Sequence, residues 1–424
     1  MSILPHIVEA RAGDRTYEAR LYYGQDVRET LRDLPEASVH MVATSPPYWG
    51  LRDYGTDLSV WGGDPLCDHE WGEPIPQDSR HRYTAENSTK EGVVAENGGY
   101  PEDRGAFCLH CNAWRGSLGL EPSPEEFVNH LIEVFRKVRQ VLRPDGTLWV
   151  NLGDTYFAGG STTQQANDNR NYEHLSTLQS RCTSGQSQRP VRSRTHAYLK
   201  PKDLIGIPWR FALAMQKEGW YLRADILWSK GNSMPESVRD RTTRQHEYVF
   251  LFAHPDCKGS YFYDHEAIKE GANRRNKRSV WQVNTKPYPG AHFATWPPDL
   301  VRPMILAGTS EHGVCSTCGA PWVRERVPDE VEETSSDGGS RTAFGAWAST
   351  CSCEDSVRVP ATVLDPFSGS ATTGRVSLIE GRHYIGIDLN LDYVELAKAR
   401  LMGQDAPSDS SDSEESSVLS MFGK

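Results

Sequence analysis

Near its C-terminal end the chain changes from apolar to small residues and back, a pattern that predicts a strand, a turn, a helix and a second strand. Residues 361–364 are apolar and β-branched, and residues 365–374 are mostly small. Residues 375–381 are typical of a short helix closed by glycine, and residues 383–388 of another buried strand. This succession is the first half of a nucleotide-binding α/β unit, in which the turn lets backbone N–H groups approach a ligand. Such a glycine-rich turn is also compatible with tight packing alone.

A second apolar stretch, residues 39–43, leads within one residue into the tetrapeptide formed by Ser45, Pro46, Pro47 and Tyr48. Two successive prolines cannot continue a central strand, because proline has no N–H group for the strand ladder. The tetrapeptide is therefore expected at the carboxyl end of this strand, which is where open α/β sheets bind ligands.

The rest of the chain alternates between strand and helix patterns, which predicts an α/β fold. A capping box at residues 123–126 predicts the start of a long amphipathic helix, and residues 143–146 are expected to end it. The predicted strands cover residues 17–23, 39–43, 147–152, 220–228 and 246–252, and the predicted helices cover residues 27–33, 124–142, 204–218 and 298–307.

The tetrapeptide and the turn together resemble motifs of the amino-methylating DNA methyltransferases. The catalytic loop of that family reads Ser, Asp or Asn, then Pro-Pro, then an aromatic residue, and its S-adenosylmethionine loop reads Asp-Pro-Phe-x-Gly-Ser. In this chain the catalytic loop comes first, as in the permuted group called the β class. The resemblance implies a Rossmann-like methyltransferase sheet with helices on both faces and a circularly permuted motif order.

The same resemblance assigns S-adenosylmethionine contacts to the turn and to three residues outside it. Asp388 would accept hydrogen bonds from the ribose hydroxyls. Asp26 resembles an acid that contacts the adenine, and it is equally suited to cap helix 27–33. Phe293 lies in a segment that resembles the one packed on the methionine end, or in an aromatic core turn. Ala371 stands where glycine is more usual, and its methyl group would narrow the approach. The turn residues assigned to the cofactor are Asp365, Pro366, Phe367, Ser368, Gly369, Ser370, Thr372 and Thr373.

The tetrapeptide suits methyl transfer to an exocyclic base amine, whose lone pair is delocalised into the ring. The Ser45 hydroxyl and the Pro46 carbonyl are acceptors that would free this lone pair for attack. Tyr48 would stack on the base, which must leave the duplex to reach the site. Methylation at cytosine C5 is disfavoured, because it needs a cysteine that follows a proline and none of the nine cysteines does.

By the same resemblance, serine rather than aspartate at the first loop position implies cytosine N4 as the acceptor, and adenine N6 is the alternative. A protein of another class, a zinc-dependent DNA-binding protein with an inactive methyltransferase core, is also considered. A glutamine or RNA methyltransferase is disfavoured by the loop order, and a nicotinamide dehydrogenase has no use for the tetrapeptide.

Two polar insertions carry ligand pairs at spacings typical of tetrahedral zinc sites and are expected to resemble zinc ribbons. The absence of a secretion signal favours metal over disulfides. His81 or His110 could replace His69, and one set could be a relic or redox-active. Cys182 and Cys257 are expected to be unpaired and structural. The first set comprises Cys67, His69, Cys108 and Cys111, and the second comprises Cys315, Cys318, Cys351 and Cys353.

The formal net charge of −11 is unevenly distributed over the 424 residues. Residues 181–244 hold 13 Lys and Arg against 5 Asp and Glu, a local charge of +8. Residues 403–424 hold 5 acids and 1 lysine, a local charge of −4. A basic segment of this kind suits contact with the phosphates of double-stranded DNA, although it could also be a solvated loop.

Neither a signal peptide nor a membrane span is visible in the sequence, so a cytoplasmic location is expected. A restriction endonuclease partner is considered, and the sequence leaves the oligomeric state open. The predicted segments are the catalytic-loop part of the core (1–61), a zinc-binding insertion (62–120), a core part (121–307) with a mobile basic loop (155–200) and a short recognition segment (255–290), a second zinc-binding insertion (308–360), the S-adenosylmethionine-binding part (361–402) and an acidic disordered tail (403–424).

Overall fold

In a computed structural model of the chain, the described residues are 4–12, 15–50, 57–72, 106–157, 196–233, 236–286, 295–327, 343–354 and 357–403. Most of the predicted basic loop and the acidic tail lie outside these ranges, as do Phe293, His81 and Cys182. The strands are β1 (His6–Ala12), β2 (Arg15–Tyr23), β3 (Val39–Thr44), β4 (Ser59–Trp61), β5 (Ala106–Phe107), β6 (Trp114–Gly116), β7 (Leu142–Leu152), β8 (Tyr221–Ser229), β9 (His246–Ala253), β10 (Val280–Gln282), β11 (Val314–Cys315), β12 (Trp322–Val327), β13 (Ala343–Ser349), β14 (Arg358–Val359), β15 (Thr362–Asp365) and β16 (His383–Asp388). The α-helices are α1 (Val27–Asp33), α2 (Pro124–Val141), α3 (Ile207–Lys217), α4 (Pro298–Gly308), α5 (Thr372–Ile379) and α6 (Tyr393–Leu401).

Nine strands form one sheet in the order β1-β2-β16-β15-β3-β7-β9-β8-β10. Its centre is parallel, because β2, β16, β15, β3 and β7 pair in the same direction. Strand β15 therefore lies beside β3, although the two are far apart in the chain, and their carboxyl ends meet at one edge of the sheet. The predicted α/β fold and the permuted order of the two motifs are confirmed.

Apolar side chains of the sheet pack against two of the C-terminal helices. Met41 and Ala43 of β3 share a buried cluster with Leu300 and Met304 of α4. Another cluster joins alternate residues of β2 to α6. Alternate residues of a strand point to the same face, so each strand contributes one row of side chains to its cluster.

The chain divides into two compact units. One comprises residues 1–46, 136–151 and 215–424. It contains the strands of the large sheet, with β7 included up to Asn151. The other comprises residues 47–135 and 152–214 and contains a small antiparallel sheet in the order β4-β6-β5. Each helix that the structure describes is too short or too polar to cross a lipid bilayer.

Three predicted element starts differ from the structure by three or more residues, and contacts between residues distant in the chain explain two of them. Strand β7 begins at Leu142 instead of residue 147, because Leu142 pairs with Val39 and the register then shifts. Helix α3 begins at Ile207 instead of residue 204, because Asp154 accepts the N–H groups of Gly206 and Ile207 at 2.9 and 3.0 Å. The buried Asp154 carboxylate thus pairs two N–H groups at the start of this helix.

Helix α5 begins at Thr372, three residues before the predicted start. The residue that precedes it, Ala371, has a φ of 59° and a ψ of 40°, so the backbone enters the helix from the left-handed region. This conformation costs about 1–2 kcal/mol for a residue with a Cβ atom. The usual preference for glycine here is therefore a backbone requirement, which the chain meets with alanine.

The amino end of β3 is joined to the turn that follows Cys318. The His40 imidazole lies 3.1 Å from the carbonyl oxygen of Gly319 and accepts the backbone N–H of Thr362 on Nδ1 at 3.0 Å. The Arg143 guanidinium donates to the carbonyl oxygen of Cys318 at 2.6 Å. Since Nδ1 accepts, the neutral imidazole carries its proton on Nε2 and donates it to Gly319. Burial, followed by the charge of Arg143, lowers the pKa of His40 to about 4.

We expect His40 to make the protein acid-sensitive between pH 6.5 and 4. In this window the unfolded chain binds a proton that the folded imidazole resists, so stability is lost as the pH falls, by roughly 2–3 kcal/mol in total. His40→Gln keeps an acceptor for Thr362 and a donor for Gly319 without the titration. The melting temperature of the variant should therefore fall less steeply than that of the wild type over this range in a thermal-shift series. Parallel curves for the two proteins would contradict the assignment.

Candidate active site

A buried carboxylate, Asp365, joins the end of β3 to the small-residue turn. It is 2% exposed and accepts hydrogen bonds from the Thr44 hydroxyl at 2.6 Å and from the Thr373 hydroxyl at 2.7 Å. It also accepts the backbone N–H of Phe367 at 3.1 Å. Burial raises the pKa of Asp365 to about 6, against the hydrogen bonds from Thr44 and Thr373. These hydrogen bonds hold the turn together, and the cofactor contact assigned to Asp365 from the sequence stays a prediction.

Ser45 follows Thr44 directly, and its hydroxyl donates to Asn151 Oδ1 at 3.3 Å. The Asn151 amide nitrogen in turn donates to the carbonyl oxygen of Tyr248 at 3.1 Å. The bond to Tyr248 fixes which end of the amide faces Ser45. Because a serine hydroxyl has one proton and two lone pairs, donation to Asn151 directs the lone pairs elsewhere.

Asp388, at the end of β16, anchors the middle of the turn. One carboxylate oxygen accepts the N–H of Gly369 at 2.7 Å, and the other accepts the N–H of Asn390 at 2.8 Å. Gly369 has a φ of 52°, so the turn uses the conformational freedom of glycine at this position. Burial raises the pKa of Asp388 to about 6. A carboxylate oxygen can accept more than one hydrogen bond, so the geometry is compatible with additional hydroxyl donors.

The serine side chains of the turn form hydrogen bonds with side chains of neighbouring strands and of α6. Ser368 Oγ lies 2.7 Å from the Tyr23 hydroxyl and 2.8 Å from the Tyr384 hydroxyl. Ser370 Oγ accepts from the Arg400 guanidinium at 2.5 Å. Pro366, Thr372 and Thr373 are buried, whereas Phe367 and Gly369 are half-buried. The turn therefore presents Phe367 and backbone groups at its surface.

Two other sequence-predicted cofactor residues have different outcomes. Asp26 caps α1 by accepting the N–H of Arg28 at 2.8 Å, and its other oxygen pairs with the Arg28 guanidinium at 2.6 Å. The capping prediction is confirmed, and the adenine contact stays a prediction. Phe293 lies outside the described residues.

Ala371 was expected to narrow the approach of the cofactor to the turn. Its methyl group is fully buried in the cluster that joins β2 to α6, so it points into the core.

Tyr48 lies in the other compact unit, against glycines of that unit. A Cβ atom added to Gly153 would lie 2.4 Å from the Tyr48 ring, and one added to Gly119 would lie 3.2 Å from the Tyr48 carbonyl oxygen. Trp49 is buried, and its indole N–H donates to the carbonyl oxygen of Glu121 at 2.9 Å. The absence of side chains at both glycines is what allows this packing.

The first predicted set of metal ligands comes together. The ligand atoms of Cys67, His69, Cys108 and Cys111 lie within 4.8 Å of one another. The sulfurs of Cys67 and Cys108 are 3.8 Å apart, and Cys111 Sγ is 3.5 Å from His69 Nδ1. Tetrahedral zinc would space two sulfurs by about 3.8 Å, and a sulfur and an imidazole nitrogen by about 3.5 Å. The donor set therefore fits zinc. His110 instead lies 3.0 Å from the Glu70 carboxylate.

The second predicted set also comes together. The sulfurs of Cys315, Cys318, Cys351 and Cys353 lie within 4.8 Å of one another. The N–H groups of Thr317 and Cys318 point at Cys315 Sγ at 3.4 and 3.5 Å, which favours a thiolate there. Four thiolates at this separation match a structural zinc site. Cys257 is a buried free cysteine outside both clusters.

Several residues of the site escaped the sequence analysis. Thr44, Asn151, Tyr23 and Arg400 each contact a predicted site residue, but none belongs to a motif. Asn151 had a signal, because it is a single polar residue in the apolar run of β7. The role of Arg400 depends on the packing of α6 and had no signal in the sequence.

We expect Thr44→Val to weaken the link between β3 and the turn. The variant keeps the shape of the side chain and removes one donor from a buried carboxylate, which should cost about 1–3 kcal/mol. Thr30→Val is the matched control. The buried Thr30 hydroxyl donates to the side-chain oxygen of Gln25 and to the backbone carbonyl oxygen of Asp26, both at 3.2 Å. Because both acceptors are uncharged, this hydroxyl should contribute less to stability. Unfolding midpoints of the three proteins measure the difference. An effect of Thr44→Val no larger than that of Thr30→Val would contradict the linking role.

Known proteins resemble this chain over most of its length. A family model described as DNA methylase matches residues 39–316 and 353–399. The type II methyltransferase M.Cfr9I of Citrobacter freundii is 37% identical over 390 residues, which cover 91% of this chain and 89% of that protein. M.SmaI of Serratia marcescens is 35% identical over 383 residues, covering 89% of each. The solved structure of the PvuII DNA methyltransferase (cytosine-N4-specific) is 16% identical, with a TM-score of 0.47 over 96% of this chain and 91% of that one. The chain therefore belongs to the N6/N4 DNA methylase family and is a type II DNA amino-methyltransferase.

Proposed function

We propose that this protein transfers a methyl group from S-adenosylmethionine to the exocyclic amine of a base that has left the DNA duplex, with cytosine N4 as the preferred acceptor. The observation that carries the proposal is the hydrogen bond from Thr44 to Asp365. It joins the residue before Ser45 to the first residue of the cofactor turn, so both halves of the chemistry meet at one sheet edge.

Ser45 and Pro46 would act on the amine as hydrogen-bond acceptors. Since the Ser45 hydroxyl donates its proton to Asn151, its lone pairs can accept one N–H of the substrate. The Pro46 carbonyl would accept the other, and the rigid proline ring limits its movement. Two acceptors favour a tetrahedral nitrogen whose lone pair is free for attack. Adenine N6 remains the alternative acceptor, because the same geometry serves both amines.

Pro47 and Tyr48 complete the catalytic tetrapeptide. Pro47 fixes the backbone direction that leads into Tyr48. The Tyr48 ring would stack on the extrahelical base and so compensate in part for the cost of unstacking it, which is a few kcal/mol. Gly153, which has no side chain, lets the Tyr48 ring lie close to the backbone there.

The cofactor turn fits S-adenosylmethionine through its surface rather than through Asp365. Phe367 would pack on the ligand, Asp388 would accept the ribose hydroxyls, and the turn backbone would border the rest. Asp26 and Phe293 are proposed contacts at the adenine and methionine ends. The cofactor supplies a methyl group bonded to a positively charged sulfur, so the chain needs chiefly to hold amine and methyl group in line.

Double-stranded DNA is the substrate that this family implies. The relatives M.Cfr9I and M.SmaI are type II methyltransferases, which supports a restriction endonuclease partner that recognises the same sequence. We place the protein in the cytoplasm, where its DNA substrate would be.

We further propose that each cysteine cluster holds one structural zinc ion. Both donor sets consist of four protein ligands, as expected for a closed site without a position for substrate. The anchoring of the second cluster by His40 and Arg143 supports a role in securing the amino ends of the central strands.

The base is tested by mass spectrometry of nucleosides from DNA of cells that express the protein. We expect N4-methylcytosine with the wild type, and none with Tyr48→Ala or Pro46→Ala, while titration calorimetry shows that both variants still bind S-adenosylmethionine. N6-methyladenine would overturn the assigned base. Full activity in either variant would overturn the assigned roles, and absence of any methylated base with folded, cofactor-binding wild type would overturn the function.

Metal analysis tests the two clusters separately. We expect two zinc ions per chain, one for each set of four ligands. Cys351→Ser should lower the content by one ion and reduce the melting temperature, because the freed thiolates lose their common partner. Cys257→Ser is the control and should leave the metal content unchanged. A wild-type protein purified without metal, and unaffected by added zinc, would contradict the proposal.

A further inference from the structure

The segment 47–50 of the catalytic loop rests on a turn formed by residues 117–121. The N–H of Gly50 donates to the carbonyl oxygen of Gly119 at 2.7 Å, and the Trp49 indole donates to that of Glu121 at 2.9 Å. Gly119 has a φ of 95°, and a Cβ atom added there would approach Tyr48 and Pro47 at 3.2 and 3.3 Å. The conformation of the turn therefore sets the conformation of the segment that carries Tyr48.

Glu121 is the side chain that holds this turn. It is 3% exposed, and one carboxylate oxygen accepts the N–H of Gly119 at 2.8 Å. The other oxygen lies 3.1 Å from His130 Nδ1. A buried carboxylate is unfavourable unless its oxygens are paired, and an apolar side chain would fill the same space at lower cost. The pairing with Gly119 and His130 gives this carboxylate a positioning task that packing alone does not require.

His130 is held in turn by two tryptophans of the small sheet. Its ring stacks on Trp61 at a centroid distance of 5.3 Å and on Trp114 at 5.5 Å, with the latter planes only 9° apart. Trp61 and Trp114 are paired across β4 and β6. The Trp61 indole is itself fixed by a hydrogen bond to the carbonyl oxygen of Gly116 at 3.0 Å. The two ring contacts direct His130 Nδ1 at Glu121.

The first cysteine cluster lies at the ends of the same strands. The N–H of Cys108 donates to the carbonyl oxygen of Ala113, next to Trp114, at 2.7 Å. A Cβ atom added to Gly63, two residues after Trp61, would lie 2.7 Å from Cys111 Sγ and 2.6 Å from Ala113. Trp61 is thus two residues from Gly63, which packs against the ligand Cys111, and Trp114 is three residues after Cys111 itself.

We propose that the first cysteine cluster, once it binds its metal, sets the conformation of the catalytic segment through the tryptophan pair, His130 and Glu121. Glu121 and His130 are then positioning residues for methyl transfer. The metal stabilises the insertion and also orders the catalytic segment. All the contacts in this chain of residues lie within one compact unit. The inference rests on the proposed function, since it concerns the same catalytic segment.

The first experiment compares Glu121→Ala, Glu121→Gln and the wild type in single-turnover methyl transfer from labelled S-adenosylmethionine to DNA. Misplacing a reacting group by about 1 Å costs on the order of 100-fold in rate, so a loss of this size is expected for Glu121→Ala. Glu121→Gln should recover most of the rate, because its amide oxygen can still accept from Gly119 and its amide nitrogen can face His130. Cofactor affinity and zinc content should stay at wild-type values in both.

Ser123→Ala is the matched control for simple loss of stability. Ser123 caps the same helix that carries His130, accepting the N–H of Glu126 at 3.2 Å. Its removal should loosen the helix start without a comparable loss of methyl-transfer rate. A rate loss in Ser123→Ala equal to that in Glu121→Ala would mean that Glu121 is merely structural and would overturn the proposal.

A double-mutant cycle tests the link to the metal. Cys111→Ser should lose one zinc ion and slow methyl transfer, and the double variant with Glu121→Ala should be no slower than the slower single variant. If Cys111→Ser does not fold, Trp114→Phe serves instead, since it weakens the stack and keeps every ligand. Rate losses that multiply in the double variant would overturn the coupling.

Hydrogen exchange gives a readout that does not depend on activity. Peptides that cover residues 47–50 and 117–121 should exchange faster in Glu121→Ala and in Cys111→Ser than in the wild type or Ser123→Ala. Unchanged exchange in both peptides would overturn the inference. A wild type that methylates DNA together with a fully active Glu121→Ala would overturn this inference alone, whereas a wild type without methyl transfer would instead overturn the proposed function.

Discussion

The hydrogen bonds from Thr44 and Thr373 to the buried Asp365 carboxylate are the interaction on which the rest of the site depends. Three elements converge on this group, namely the end of β3, the end of β15 and the first turn of α5. Because the two strands pair in parallel, their carboxyl ends meet whatever their order in the chain. The permuted arrangement of catalytic and cofactor motifs thus needs no special explanation beyond strand adjacency.

The two cysteine clusters are attached to different parts of the molecule. The second is fastened through Gly319 and Cys318 to His40 and Arg143, at the amino ends of β3 and β7 and so away from the carboxyl ends that carry the chemistry. The first is attached to the small sheet whose tryptophans hold His130. We therefore propose two roles for these clusters, one in securing the large sheet and one in shaping the catalytic segment.

The sequence predicted the elements that have strong local signals. The apolar runs of β3, β15 and β16, the capping box of α2 and both ligand sets were all found from spacing and residue type. The predictions were wrong where tertiary contacts decide, as at the start of β7, which extends to Leu142 because Val39 pairs with it. The start of α3 likewise depends on Asp154, a residue more than fifty positions away in the chain.

Single contacts between distant residues were beyond the sequence for the same reason. Thr44 and Arg400 lie outside the motifs, and the packing of strands and helices alone brings them to Asp365 and Ser370. Asp365 also has a structural task that the motif did not indicate, since its buried carboxylate supports the turn, while its predicted contact with the cofactor stays a prediction. The motif thus indicated which residues belong to the site, whereas the contacts of each residue depend on how the strands and helices pack.

A crystal structure of the full chain with S-adenosylhomocysteine and target DNA tests this account most directly. The account predicts that Asp365 still bridges Thr44 and Thr373, that the ligand lies over Phe367 and the turn backbone with its ribose on Asp388, and that an extrahelical base meets Ser45 and Pro46. A ligand bound directly by the Asp365 carboxylate, with Thr44 and Thr373 released from it, would contradict the account.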